Sequence, residues 1–173
     1  MNLYTSYYNS PVGLLKIQCS DKFIKTVSFS DAEGDLQNDE HKLLQVCARQ
    51  LDEYFAGKRK QFNLSLNQDG TEFQTKIWDL LYKIPYGKTI SYNELAKQYG
   101  DPKAVRAVAS ANGKNNIAII VPCHRVIGSD QSLVGYAGGL WRKRWLLEHE
   151  AKYQLGVQEF NFTARKNSPE DSL

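Results

Sequence analysis

At 173 residues the chain can form one medium domain or two small ones sharing an interface. Its 42% hydrophobic and 24% charged residues are those of an ordinary globular protein; no apolar run nears the ~20 residues of a membrane span, and Met1 to Pro11 is too polar for a signal peptide, so the expected address is the cytoplasm, without a membrane partner. The net charge of +3 is uneven: residues 1–69 carry 8 Lys/Arg against 9 Asp/Glu and residues 70–173 carry 14 against 10, which fits a polyanion partner for the second half and equally fits a chance fluctuation.

In the first half, Leu15, Ile17 and Cys19 alternate with Lys16 and Gln18, the pattern of a half-buried strand. Ser20-Asp21-Lys22 makes a turn, and Phe23 to Phe29 is a β-rich return. A polar loop, Ser30 to Glu40, leads to a predicted helix over His41 to Ala56, with Leu44, Cys47, Leu51 and Tyr54/Phe55 at helical spacing and Gly57 as its stop. Phe62, Leu64 and Leu66 alternate as a further strand. The turn cluster Asn67-Gln68-Asp69-Gly70 divides the chain into domains 1–70 and 71–173.

The second half is mostly helical. Thr71-Glu72-Phe73-Gln74 is a capping box opening a helix with an apolar stripe of Phe73, Ile77, Leu80 and Leu81, ended by Pro85-Tyr86-Gly87. Ser91-Tyr92-Asn93-Glu94 is a second capping box, for a short helix stopped at Gly100. Asp101-Pro102 supplies an N-cap and an N1 proline for the next helix, stopped by Gly113. Two short helices joined at Gly100-Asp101 have the layout of a helix-turn-helix. An apolar run, Ile117 to Val121, ends at Pro122, and Leu140 to Glu150 is a last helix. The polar tail from Lys152 is expected to fray.

Three cysteines, Cys19, Cys47 and Cys123, cannot pair evenly and none lies in a C-x-x-C element, which favours free thiols in a reducing compartment. Cys19 and Cys47 sit on core faces and read as buried structural thiols. Cys123 differs, because a proline turn places it directly beside His124 and Arg125. A thiol attacks as the thiolate, which needs a neighbouring base or positive charge, and either residue supplies one.

Pro122-Cys123-His124-Arg125-Val126 resembles the active-site motif of the O6-alkylguanine-DNA alkyltransferases. The similarity runs from about Phe73 to Glu150, through Tyr136-Ala137-Gly138-Gly139 and the Trp145-Leu146-Leu147-Glu148-His149-Glu150 helix. The resemblance implies an α+β protein: a small amino-terminal ribonuclease-H-like α/β domain and a mostly helical, winged-helix-like carboxy-terminal domain with the helix-turn-helix. It implies single-turnover DNA repair, in which an alkyl group moves from O6-alkylguanine, and O4-methylthymine, to Cys123. His124 is then the base acting through a water, Glu150 the carboxylate orienting it, and Tyr92 the proton donor to the leaving base. Asn115 braces the turn at the active-site strand.

The implied partner is double-stranded DNA carrying alkylated bases, entered from the minor groove by a monomer that flips the damaged base out. Arg106 would fill the vacated stack. Ala104, Ala107, Ser110 and Asn112 would line the close approach. Tyr136, Ala137, Gly138 and Val126 would line the base pocket, Ala137 standing where some relatives have serine. Without the resemblance these residues have plainer readings: Glu150 as a solvated helix end, Tyr92 as a packing aromatic, the alanines as good helix formers, Asn112-Gly113 as a C-cap. No cofactor is expected. No metal is expected either, because Cys19, His41 and Cys47 do not form the pattern by which certain relatives hold zinc.

Overall fold

The computed structural model describes residues 2–155 and 163–164. These fall into two compact units. The first runs to Asp69 and takes in Asn116–Ile120; the second begins at Gly70 and resumes at Val121.

The first unit is a three-stranded antiparallel sheet with a helix. Strands β1 (Tyr4–Ser10), β2 (Gly13–Cys19) and β3 (Ile24–Phe29) lie in chain order, with Ser6 opposite Ile17 and Ile17 opposite Val27. Period-2 alternation sends Leu15, Ile17 and Cys19 to one buried face. Helix α1 (Lys42–Phe55) turns Leu44, Cys47, Leu51 and Tyr54 inward, and the His41 side chain caps it by accepting from the Leu43 N–H. Strand β1 was not foreseen in the sequence, because six of its seven residues are half-buried and none is fully so. The strand expected at Phe62 to Leu66 is not formed. Only Leu66 makes a bridge, to Ile24 through the backbone of Ser65 and Asn67, while the backbone of Asn63 is taken by both the N–H and the carbonyl of the Gln50 side chain. The 117–121 run bridges β3 once, at Ile117, before Ile119 turns it with φ of 71°.

In the second unit, α2 (Glu72–Tyr82) starts with both halves of the Thr71/Gln74 capping box in place. Thr71→Ala is therefore expected to cost about 1 kcal/mol, read as a lowered melting temperature without loss of helix content. Trp78, outside the expected stripe, is buried and donates its indole N–H to Ala111 O. Next come β4 (Ile90–Ser91), α3 (Tyr92–Tyr99) and α4 (Val105–Gly113). Gly100 closes α3 with φ of 105°, a backbone that a Cβ would oppose. Helix α4 begins at Val105, not after Asp101. Asp101 instead caps a separate turn, accepting from Lys103 N through its side chain and Ala104 N through its carbonyl. Strand β5 (Val126–Ile127) pairs in parallel with β4, and β6 (Ser132–Leu133) with β7 (Thr163–Ala164). Helix α5 (Leu140–Leu155) carries the tail's first residues as regular helix; the rest of the fraying expected there lies outside the described residues, apart from β7. The fold is mixed α and β, with a sheet unit first and a helical unit second.

Candidate active site

Every group of the site comes from the second unit. Pro122 ends the apolar run, and Cys123–Arg125 form one 3₁₀ turn. That turn buries three consecutive side chains: Cys123 is 7% exposed, His124 0% and Arg125 6%. A turn of this kind points neighbouring side chains in different directions.

His124 and Arg125 both reach Glu150, seven residues along α5 from Lys143. His124 Nε2 lies 2.6 Å from Glu150 Oε2. Arg125 donates through Nε to Oε1 at 2.7 Å and through Nη2 to Oε2 at 3.1 Å, a bidentate fork. The Gly87 N–H adds a fourth donor to the carboxylate, and Arg125 Nη1 ties the cluster to Ile84 O. Burial would push the Glu150 carboxyl up, but His124 and Arg125 outweigh it and hold the group well below the usual carboxylate range. Burial also lowers the His124 pKa against the opposing pull of Glu150. The resting pair is thus an ionised carboxylate accepting from a neutral imidazole, and the other ring nitrogen, Nδ1, keeps a basic lone pair with no hydrogen-bond partner among the described residues.

Burial raises the Cys123 pKa, partly offset by a hydrogen bond from Asn115 and by the charge of Lys143. The thiol is therefore protonated at rest. Asn115 also donates to Val121 O at 2.8 Å, bracing the chain just before the cysteine. Tyr92 opens α3 and donates its hydroxyl to Val134 O at 3.1 Å; burial first, then Cys123, raise its pKa to about 12, so it stays a proton donor at neutral pH. Lys143 is fully buried, donating to Val134 O at 2.9 Å and to Tyr92 Oη at 3.5 Å. Its pKa falls to about 8, because burial outweighs the attraction of Cys123. The arrangement is a buried, protonated thiol followed in sequence by a neutral imidazole held by an ionised carboxylate, with a phenol that keeps its proton in the same unit.

Residues 72–152 match the family model for the 6-O-methylguanine DNA methyltransferase DNA binding domain, and residues 3–68 match its ribonuclease-like domain. A methylated-DNA–protein-cysteine methyltransferase of Methanosarcina acetivorans is 42% identical over 153 residues, spanning 86% of this chain and 98% of the relative. The chain belongs to the 6-O-methylguanine DNA methyltransferase family. The constitutive methylated-DNA–protein-cysteine methyltransferase of Bacillus subtilis is 47% identical over 146 residues, 80% of this chain and 88% of that protein. Among solved structures, Mycobacterium tuberculosis OGT in complex with DNA superposes with a TM-score of 0.79 at 41% identity, covering 88% of this chain and 94% of that one.

Within this methyltransferase framework the remaining predicted residues separate into three places. Arg106, Ala107 and Ser110 share the exposed face of α4, with Ala104 half-buried at its start. Asn112 is not on that face: it is buried and directs its amide toward Cys123 O, 3.5 Å away. Tyr136 is buried within reach of the Cys123 charge, Gly138 is buried beside it, and Ala137 is exposed. Val126 is fully buried and paired with Ile90. Cys19 Sγ lies 3.6 Å from His41 Nδ1 in the first unit, and among the described residues no three His, Cys, Asp or Glu side chains are arranged to hold a metal.

Sequence reasoning missed one residue, Lys143. Arg125, which the sequence offers beside His124 as one of two candidates to act on Cys123, is bonded to Glu150 instead. Lys143 was not considered at all, although its position is marked: Lys143, Leu146, Leu147 and Glu150 recur at i, i+3, i+4 and i+7, so a lysine sits on the buried stripe of α5.

Proposed function

We propose that this protein repairs alkylated DNA by moving the alkyl group of O6-alkylguanine, or O4-methylthymine, onto Cys123 in a single irreversible turnover. The observation that carries the reading is the buried Glu150–His124 contact of 2.6 Å immediately after the cysteine, which leaves His124 Nδ1 free to act as base. In this reading His124 takes the thiol proton through a water. The sulfur then displaces the base at the alkyl carbon as Tyr92 protonates the departing base. The product is a thioether, and no group of the site can hydrolyse it, so each molecule acts once.

The names of the relatives and the DNA complex of the Mycobacterium tuberculosis protein support DNA as the partner. The exposed α4 face is suited to a minor groove: Ala107 and Ser110 are small, and Arg106 shares that face as the side chain to replace the extruded base. Asn115 and Asn112 brace the turn, while Tyr136, Gly138 and Val126 border the base. We further read the chain as two domains dividing near Gly70, acting as a monomer in the cytoplasm. No described helix is long and apolar enough to cross a membrane.

Incubation with an oligonucleotide bearing O6-methylguanine is expected to place one methyl on Cys123, at one-to-one stoichiometry, by peptide mass mapping. Multiple turnovers, as of a cysteine hydrolase, would contradict the reading. So would unchanged repair by Cys123→Ala, as of a DNA-binding regulator.

A further inference from the structure

The turn bordering Cys123 is fenced by two glycines in left-handed backbone, Gly135 with φ of 60° and Gly139 with φ of 93°. The Gly139 N–H closes the turn on Tyr136 O at 2.9 Å. Tyr136 lies inside it, buried and close enough to Cys123 for the sulfur's charge to raise its pKa further after burial has done so. Glycines at both ends rotate at little steric cost, so the turn's own residues do little to fix its width.

The restraint comes from the first turn of α5. Arg142 Nη1 donates to Gly138 O, a carbonyl inside the fenced segment next to its second glycine. The guanidinium of Arg142 lies 4.7 Å from the ring centre of Trp141, a cation–π distance. Trp141 in turn closes on the second hinge: its Cδ1 stands 3.6 Å from the place a Cβ of Gly139 would take. Trp141 is 37% exposed, so packing into a core does not account for this large aromatic ring. The charge of Arg142 also acts on the Tyr136 phenol, lowering its pKa against burial. A planar cation supported on an indole and bonded to a backbone carbonyl is a latch.

We propose that Arg142, seated on Trp141, is a positioning residue that latches the Gly135–Gly139 turn and thereby sets the size of alkyl group that Cys123 accepts. The proposal rests on the transfer reading above. A latched turn suits a methyl group, whereas a benzyl group needs the turn to swing outward on its glycines. Releasing the latch therefore favours the larger group relative to the smaller.

Single-turnover rates on oligonucleotides bearing O6-methylguanine or O6-benzylguanine test this, with the thioether on Cys123 as readout. Arg142→Ala is expected to raise the benzyl-to-methyl rate ratio by about fivefold or more, the scale on which pocket shape discriminates apolar groups. Arg142→Lys keeps the charge but cannot lie flat on the indole. Trp141→Ala removes only the support. Both should raise the ratio by less than Arg142→Ala, and they stand in for it should that variant fold poorly. Equal losses on both substrates, the mark of a merely structural role, would overturn the proposal, as would an unmoved ratio. Absence of any thioether in the unaltered protein would instead sink the transfer reading, and the latch with it.

Discussion

Replacing Glu150 with glutamine is expected to slow alkyl transfer to Cys123 by about 10³- to 10⁴-fold, the scale seen when the acid orienting a catalytic imidazole is neutralised. The carboxylate accepts from His124, from two nitrogens of Arg125 and from Gly87. An amide presents one acceptor and one donor, so it cannot satisfy both His124 and the Arg125 fork. The His124 ring then loses the bond that keeps its Nε2 protonated and its Nδ1 basic. Arg125, 6% exposed, is left as a buried cation without its counter-ion, a loss of about 3–5 kcal/mol of stability. Single-turnover kinetics and thermal melts measure the two effects separately. A near-normal rate would exclude Glu150 from the relay.

The same cluster sets an acid limit to stability. The folded His124 pKa lies below its ordinary value, so the unfolded chain takes up that proton first as the pH falls below about 6.5. The folded Glu150 pKa is depressed too, so its contribution is complete above the ordinary carboxylate pKa and is lost as the pH falls from there toward its folded value. Both groups bind more protons unfolded than folded, and both therefore favour unfolding in acid. The melting temperature is expected to fall below pH 6.5 and again below about 4.5. Glu150→Gln should abolish the second step, which melts at stepped pH values would show.

What was legible in the sequence is what local rules govern. Thr71 and Gln74 satisfy each other within four residues, and Gly100 closes α3 by its own backbone, so both ends were readable. Cys123 and His124 are adjacent, and their proximity needed no fold. Glu150 stands 26 positions from His124, and only family resemblance joined them before the geometry did. Strand β1 stayed hidden because nearly all its residues are buried to a similar, intermediate degree, so no apolar and polar faces alternate along it. Phe62, Leu64 and Leu66 alternate without a ladder, since period alone does not supply a partner strand. Asp101 looked like a helix cap and instead caps a turn, because Asp serves both equally well.

Lys143 is the clearest case of tertiary context overriding residue type, and its replacement is expected to separate stability from chemistry. In Lys143→Met the buried ammonium gives way to an unbranched apolar chain, while Val134 O keeps the Tyr92 hydroxyl as a donor at 3.1 Å. Removing an isolated buried charge should raise the melting temperature at pH 7. The sign follows from the pKa, about 8 in the fold against 10.5 ordinarily. Between those values the unfolded chain holds a proton that the folded chain has released, so the unaltered protein gains stability over the variant as pH rises through that window, by up to about 3 kcal/mol. Transfer should move the other way. Cys123 loses the cation that offsets its burial, its pKa climbs, and the rate at pH 7 drops, by at most about tenfold for each unit of that climb. The deficit should shrink above pH 8, where Lys143 itself gives up its proton. A variant that is both more stable and slower marks a charge kept inside the fold for the thiolate it faces; equal rates at pH 7 would show that the sulfur does not depend on it.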